Sequence, residues 1–176
     1  MNPSRQQQAV GWAVRQLPEG DWKEEVVSSD ASFRSYYRLQ SNRQSYLVMD
    51  APPEREPVAT FLDVAERLLA IGLHAPRVYA ADVENGFVLL EDLGRMPYHH
   101  ALNSDNADRL FGDALKTLLR MQQETATDSL PIYDAPKLRE ELSLFTDWFL
   151  TRHWQIQVRP GERKNWDGIC SLLVES

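Results

Sequence analysis

The sequence contains a single cysteine, Cys170, in 176 residues. A lone thiol excludes an internal disulfide and cannot supply a thiolate cluster for a metal. No apolar run approaches the length needed to cross a membrane. The polar opening, MNPSRQQQAVGWAV, also lacks the continuous apolar segment of a secretory signal peptide. We therefore expect a soluble, cytoplasmic protein.

An excess of basic charge is also missing. The chain has 19 Lys and Arg against 26 Asp and Glu, which gives a formal net charge of -7. This balance argues against duplex nucleic acid or an anionic membrane as the main partner, because both favour basic surfaces. It does not exclude a nucleotide, since a few local cations and backbone N–H groups are enough to hold phosphates.

Glycine-rich phosphate motifs and a kinase-type catalytic loop are absent as well. Neither G-x-x-x-x-G-K-[ST] nor G-x-G-x-x-G occurs. A kinase-type loop has a His two residues before its catalytic Asp. The residues two positions after the four histidines are Pro76, Ala101, Leu102 and Gln155. We therefore expect no catalytic base of this type within these residues.

The first half of the chain has the pattern of a small α+β unit. Apolar spacing predicts a helix over residues 4–17 and a second from Pro57 to Ile71, with Gly72 closing it. Composition and turn residues predict five strands. The predicted strands are residues 23–28, 35–40, 45–50, 77–81 and 87–90. A lone helix on a five-stranded antiparallel sheet is an α+β arrangement.

Everything after Gly94 has the pattern of helix or loop. Apolar spacing predicts helices from about Ser104, after Pro136 and after Pro160. We therefore divide the chain into residues 1–94 and 95–176. The last residues of the final helix, L-L-V-E-S at 172–176, include no Gly, Pro or basic residue that would stop it. This favours a fragment of a longer protein.

Two segments between these elements are candidates for chemistry. Residues 28–34 are small and polar and end at Arg34, so they could turn N–H groups and a guanidinium towards a phosphate. Composition alone favours a polar turn with Phe33 in the core. Residues 88–94 read V-L-L-E-D-L-G, where an apolar strand meets two acids at the boundary. This segment could offer its backbone to a flat base, or be a strand end with solvated acids.

Three blocks in order carry a family resemblance: S-D-A-S-F-R-S-Y-Y-R, Y-L-V-M-D-A-P-P-E and G-F-V-L-L-E-D-L-G. Together they resemble the aminoglycoside-phosphotransferase family, in particular its branch of anomeric amino-sugar kinases of cell-wall recycling. The resemblance implies a protein-kinase-like fold. In that fold a five-stranded antiparallel N-lobe with one packed helix precedes a mainly helical C-lobe, of which this chain would hold the first helices.

The resemblance also implies an ATP site. Its loop over the phosphates would be Asp30, Ala31, Ser32, Phe33 and Arg34. Its hinge, whose backbone meets adenine, would be Glu91, Asp92 and Leu93.

Met49 stands near the position where most kinase-like enzymes place a phosphate-binding Lys on the third strand. Phosphate charge must then be met elsewhere. Arg34 is our candidate, and Arg38 is a second unless it is a solvent-facing strand residue.

The activity implied is transfer of phosphate from ATP to the anomeric hydroxyl of N-acetylmuramate or N-acetylglucosamine, with Mg²⁺. The catalytic Asp and the metal ligands would follow residue 176, so we expect the chain alone to be inactive. Two alternatives stay open. The acceptor could be an aminoglycoside, choline or another small alcohol, or the chain could be a non-catalytic nucleotide-binding or interaction module.

Overall fold

The segments with strand composition form one antiparallel sheet in the computed structural model, which describes residues 3–29 and 33–175. The strands are β1 (Lys23–Ser29), β2 (Ser35–Gln40), β3 (Ser45–Asp50), β4 (Val78–Asp82) and β5 (Phe87–Glu91). The helices are α1 (Arg5–Val14), α2 (Val58–Ala70), α3 (Tyr98–Ala101), α4 (Ala107–Glu124), α5 (Ala135–Leu144) and α6 (Pro160–Glu175), with a π-helix (Phe145–His153) between the last two. A five-stranded antiparallel sheet followed by helices confirms the predicted fold class.

The sheet has the order β1-β2-β3-β5-β4, and successive side chains alternate between its two faces. On one face, Ala9 and Ala13 of α1 cover a cluster that includes Val48 and Leu89. We call this the α1 face. On the other, Val58 of α2 covers a cluster of Met49, Ala51, Val88 and Leu90. We call this the α2 face. The sheet therefore lies between two helices.

An ion pair fastens α1 to its face of the sheet. Arg5 Nε lies 2.8 Å from Asp50 Oδ1, and the Asp50 side chain is 6% exposed. Arg5 also donates to the Asn85 carbonyl at 2.6 Å and lies 5.0 Å above the Phe87 ring. Burial raises the pKa of Asp50, and Arg5 opposes that rise. α1 ends at Val14 rather than at the predicted residue 17, because the chain tightens into turns before Pro18.

α2 is one residue shorter at each end than the predicted range from Pro57 to Ile71. Pro57 is its N-cap rather than its first residue, and Gly72 follows the C-cap with a φ of 72°. The Leu73 N–H reaches the Leu68 carbonyl and the Gly72 N–H reaches the Leu69 carbonyl. These two bonds form a Schellman motif, which favours glycine at that position.

The β4–β5 connection is a four-residue loop, residues 83–86, rather than a tight two-residue turn. The Asp82 carboxylate accepts hydrogen bonds from the Asn85 N–H and side-chain amide. Only Gly86 of the Asn85-Gly86 pair has a positive φ, 74°. Its carbonyl accepts from the Ala51 N–H at 2.9 Å, and a Cβ there would lie 1.9 Å from the Ala51 oxygen. The loop therefore requires glycine at 86.

The chain divides into two compact units, Met1–Ala126 and Thr127–Ser176. In the second unit, α5 continues into the π-helix, which the sequence did not predict, and α6 packs against α5. The predicted lobe boundary at residue 94 stays a prediction. Within the described residues, no helix combines the length and apolar character required to cross a membrane.

Gly86→Ala should lower the free energy of unfolding by at least about 2 kcal/mol, because it combines a strained φ with a backbone clash. Gly112→Ala is the matched control. Gly112 lies inside α4 with no atom within 4 Å of a built Cβ. It should raise stability by up to about 1 kcal/mol through helix propensity. Urea unfolding followed by circular dichroism measures both, and equal effects would contradict the role assigned to Gly86.

Candidate functional site

The hinge segment, residues 91–94, leaves the sheet at the end of β5. Its Asp92 side chain turns back under β2 and β3 on the α2 face. The carboxylate accepts from Arg38 Nε at 2.6 Å, from an Arg38 terminal nitrogen at 3.0 Å and from the Gly94 N–H at 3.0 Å. The Ser45 hydroxyl also donates to it. The Asp92 side chain is therefore held inside the protein, while Leu93 is 54% exposed.

Arg38 is the buried partner in this arrangement. It is 4% exposed, and its terminal nitrogen also donates to the Gly94 carbonyl at 3.1 Å. Its other terminal nitrogen lies 3.9 Å from the Glu25 carboxylate. The interpretation of Arg38 as a solvent-facing strand residue is wrong. Its role as second phosphate cation is also disfavoured, because each guanidinium nitrogen faces a protein oxygen.

The Arg38 hydrogen bonds lower the pKa of Asp92 from 3.8 to about 2, against the opposing effect of burial. Ser45 and the Gly94 N–H add to this lowering. A carboxylate that accepts several hydrogen bonds strongly favours its charged form. Asp92 is therefore an anion fixed under the sheet rather than a solvated acid at a strand end.

Glu91 is anchored towards β4 instead. Its N–H donates to the Arg77 carbonyl at 2.8 Å, and its carboxylate accepts from the Arg77 N–H at 3.2 Å. The other carboxylate oxygen lies 3.3 Å from His74 Nε2. The Arg77 N–H and His74 lower the pKa of Glu91.

A cavity of about 700 Å³ opens beside the hinge segment. Val27, Leu93 and Met96 give it apolar walls, and Arg38 lines its inner side. Across it, Arg95 forms a two-pronged ion pair with Glu25 of β1, with one N–O distance of 2.7 Å. Pockets that bind small molecules have this size and this mixture of apolar walls with a few polar groups.

The predicted phosphate loop is described only at its end, since Asp30, Ala31 and Ser32 lie outside the described residues. Phe33 is 57% exposed, so its placement in the core is wrong. Its N–H donates to Glu56 Oε1 at 3.0 Å, and Arg34 Nε lies 2.5 Å from Glu56 Oε2. Glu56 therefore holds the end of this loop against the start of α2.

Met49 is fully buried in the cluster under α2. Its cross-strand neighbours are Tyr36 and Val88. The third-strand position at which most kinase-like enzymes carry a phosphate-binding Lys is thus filled by an apolar core residue. Within residues 3–29 and 33–175, no group of three or more His, Cys, Asp or Glu could hold a metal ion.

Comparison with known proteins identifies the class to which this fold and site belong. The sequence matches the phosphotransferase enzyme family (APH) over residues 23–167. The chain belongs to this family.

Among curated proteins, the chain is 44% identical to the N-acetylmuramate/N-acetylglucosamine kinase of Pseudomonas aeruginosa, over 98% of the chain and 54% of that protein. It is 37% identical to the protein of the same name from Pseudomonas putida, over 98% of the chain and 54% of that protein. It is 30% identical to the protein of the same name from Neisseria meningitidis, over 97% of the chain and 52% of that protein. The chain spans about half the length of the curated relatives it matches.

Replacement of Asp92 should change how stability depends on pH. Because its pKa is lowered in the folded protein, its charged form stabilises the fold above about pH 4. This contribution, about 2 kcal/mol, is lost as pH falls towards 2. The difference in unfolding free energy between wild type and Asp92→Asn should therefore shrink from pH 6 to pH 2.

Urea unfolding at several pH values measures this difference. Asp113→Asn, on the exposed side of α4, is the control and should change stability by less than about 1 kcal/mol. A difference for Asp92→Asn that stays constant over this pH range would contradict the assignment.

Proposed function

We propose that the whole protein is an ATP-dependent kinase that phosphorylates the anomeric hydroxyl of N-acetylmuramate or N-acetylglucosamine. The observation that carries this proposal is the 44% identity over 98% of the chain to a kinase named for these two sugars. The sheet, α2 and the cavity beside the hinge segment support it, because they would form the base-binding half of a kinase-like site.

The base would enter the cavity beside the hinge segment. Since the Asp92 side chain is turned inwards, the segment would meet the base through its backbone and through Leu93. Val27 and Met96 would cover the faces of the ring. Apolar walls with a few backbone donors and acceptors are the usual means of holding a flat heterocycle.

Arg34 would meet the phosphates. Met49 is in the core and supplies no charge, so the role of the usual lysine passes to a residue at the end of the preceding loop. Arg34 already pairs with Glu56, which orients it and also partly neutralises it. Phosphate oxygens would share the guanidinium with Glu56.

In the reaction, the bond between the γ-phosphorus and the bridging oxygen breaks while a new bond forms to the anomeric oxygen. ADP leaves, and the sugar hydroxyl gives its proton to a base. ATP would supply the phosphoryl group, and the accompanying Mg²⁺ would neutralise part of the phosphate charge. We assign the base and the metal ligands to residues that would correspond to the second half of the relatives, which this chain does not span.

The full-length protein should phosphorylate an amino sugar with ATP and Mg²⁺. A panel of N-acetylmuramate, N-acetylglucosamine, glucose, an aminoglycoside and choline, followed by ³¹P NMR, distinguishes the acceptors and shows whether the product is an anomeric phosphate. Turnover of only the aminoglycoside or choline would replace the proposed substrate. ATP binding without turnover of any acceptor would instead favour a non-catalytic module.

Arg34→Ala in the full-length protein should raise the KM for ATP and lower kcat, together reducing kcat/KM by about tenfold or more, since it removes a charged hydrogen-bond donor. Arg43→Ala is the matched control. It removes an exposed arginine from the β2–β3 turn and should leave both constants within about twofold. If Arg34→Ala behaved like the control, another cation would have to meet the phosphates.

A further inference from the structure

We infer that Arg38 is a positioning residue for nucleotide binding: its buried fork to Asp92 fixes the hinge segment in the shape that receives the base. This inference rests on the proposed function, because it assigns the hinge segment to ATP. It gives Arg38 no contact with phosphate and no part in the transfer step.

The contacts of Arg38 and Asp92 together join four parts of the chain. Arg38 lies on β2, faces Glu25 of β1 and binds Asp92 and Gly94 of the hinge segment. Ser45, at the start of β3, donates to the same carboxylate. Because the side chains of Arg38 and Asp92 are 5% and 7% exposed, water competes poorly for these hydrogen bonds. The hinge segment is thereby fixed at both Asp92 and Gly94.

The fixed points lie on either side of the residue that would meet the base. Leu93 stands between them and is more than half exposed, and Gly94 has a φ of 98°. A free segment with a glycine has many backbone conformations, and ordering it on binding would weaken affinity. With Asp92 and Gly94 held by one guanidinium, that ordering is complete before the nucleotide arrives. The expected consequence is a low KM for ATP rather than a high kcat.

The same sheet offers a matched comparison for a purely structural role. Arg5 and Asp50 form a second Arg–Asp pair, on the α1 face and away from the cavity. Loss of either arginine leaves a nearly buried carboxylate without its cation, so both losses should destabilise the fold. Only the loss of Arg38 should disturb the hinge segment.

The test compares Arg38→Met, Arg38→Lys and Arg5→Met in the full-length protein with ATP, Mg²⁺ and the amino sugar. Tm, kcat and the KM for each substrate are measured. Arg38→Met should raise the KM for ATP by about tenfold or more and leave kcat and the sugar KM within about threefold. Arg38→Lys should recover part of the loss, since one ammonium cannot bind Asp92 with a fork. Arg5→Met should lower Tm and leave the KM for ATP unchanged.

Equal KM values for ATP in wild type, Arg38→Met and Arg38→Lys would overturn the inference and leave the proposed function intact. The inference would also be overturned if Arg38→Met and Arg5→Met raised the KM for ATP equally while lowering Tm equally. The rise in KM would then follow from the loss of stability alone. Wild-type protein that does not bind ATP would overturn the proposed function, and the inference with it. If Arg38→Met does not fold, Asp92→Asn takes its place. It keeps one carbonyl acceptor for Arg38 and should raise the KM for ATP by the same factor.

Discussion

The hydrogen-bonded ion pair between Arg38 and Asp92 determines how the chain leaves the sheet. Burial of two charges costs free energy, and a single attraction between them does not always offset that cost. Here Ser45 and the Gly94 N–H also bind the carboxylate, and the Gly94 carbonyl takes a further donor of the guanidinium. Several hydrogen bonds together therefore offset the cost of burying the two charges. Each of them ends on the hinge segment or on a strand beside it, so stability and the shape of the cavity depend on the same contacts.

The contrast with Asp50 shows why the number of hydrogen bonds matters more than the presence of a partner. Both carboxylates are nearly buried and both face an arginine. Asp50 is bound by Arg5, and burial still raises its pKa. Asp92 has four donors on its two oxygens, and its pKa falls to about 2. The first pair fastens a helix to the sheet, and the second holds the segment that lies beside the cavity.

Much of the fold follows from local patterns in the sequence, whereas the key contact of the site does not. Strand composition, turn residues and the Gly72 stop signal predicted the strands and the close of α2, because all of them depend on neighbouring residues. Arg38 and Asp92 are 54 positions apart, and an arginine in a half-buried strand is usually solvent-facing. Pairing of β2 with β3 and of β3 with β5 brings Arg38 and the hinge segment together, and such long-range pairing is not encoded in a local pattern. The π-helix was missed because π-helices are rare and occur as short stretches that continue an α-helical pattern.

The buried Met49 changes how the parts of the site can be linked. In protein kinases, an ion pair from the third strand to the packed helix connects the phosphate-binding residue to that helix. Here the third strand supplies an apolar contact to α2, and the ion pair is made one strand earlier, from Arg34 to Glu56 just before α2. Glu56 also binds the Phe33 N–H, so one carboxylate fixes both the backbone and the cation at the end of the loop. The end of the loop is thus connected to the start of α2 without a lysine at residue 49.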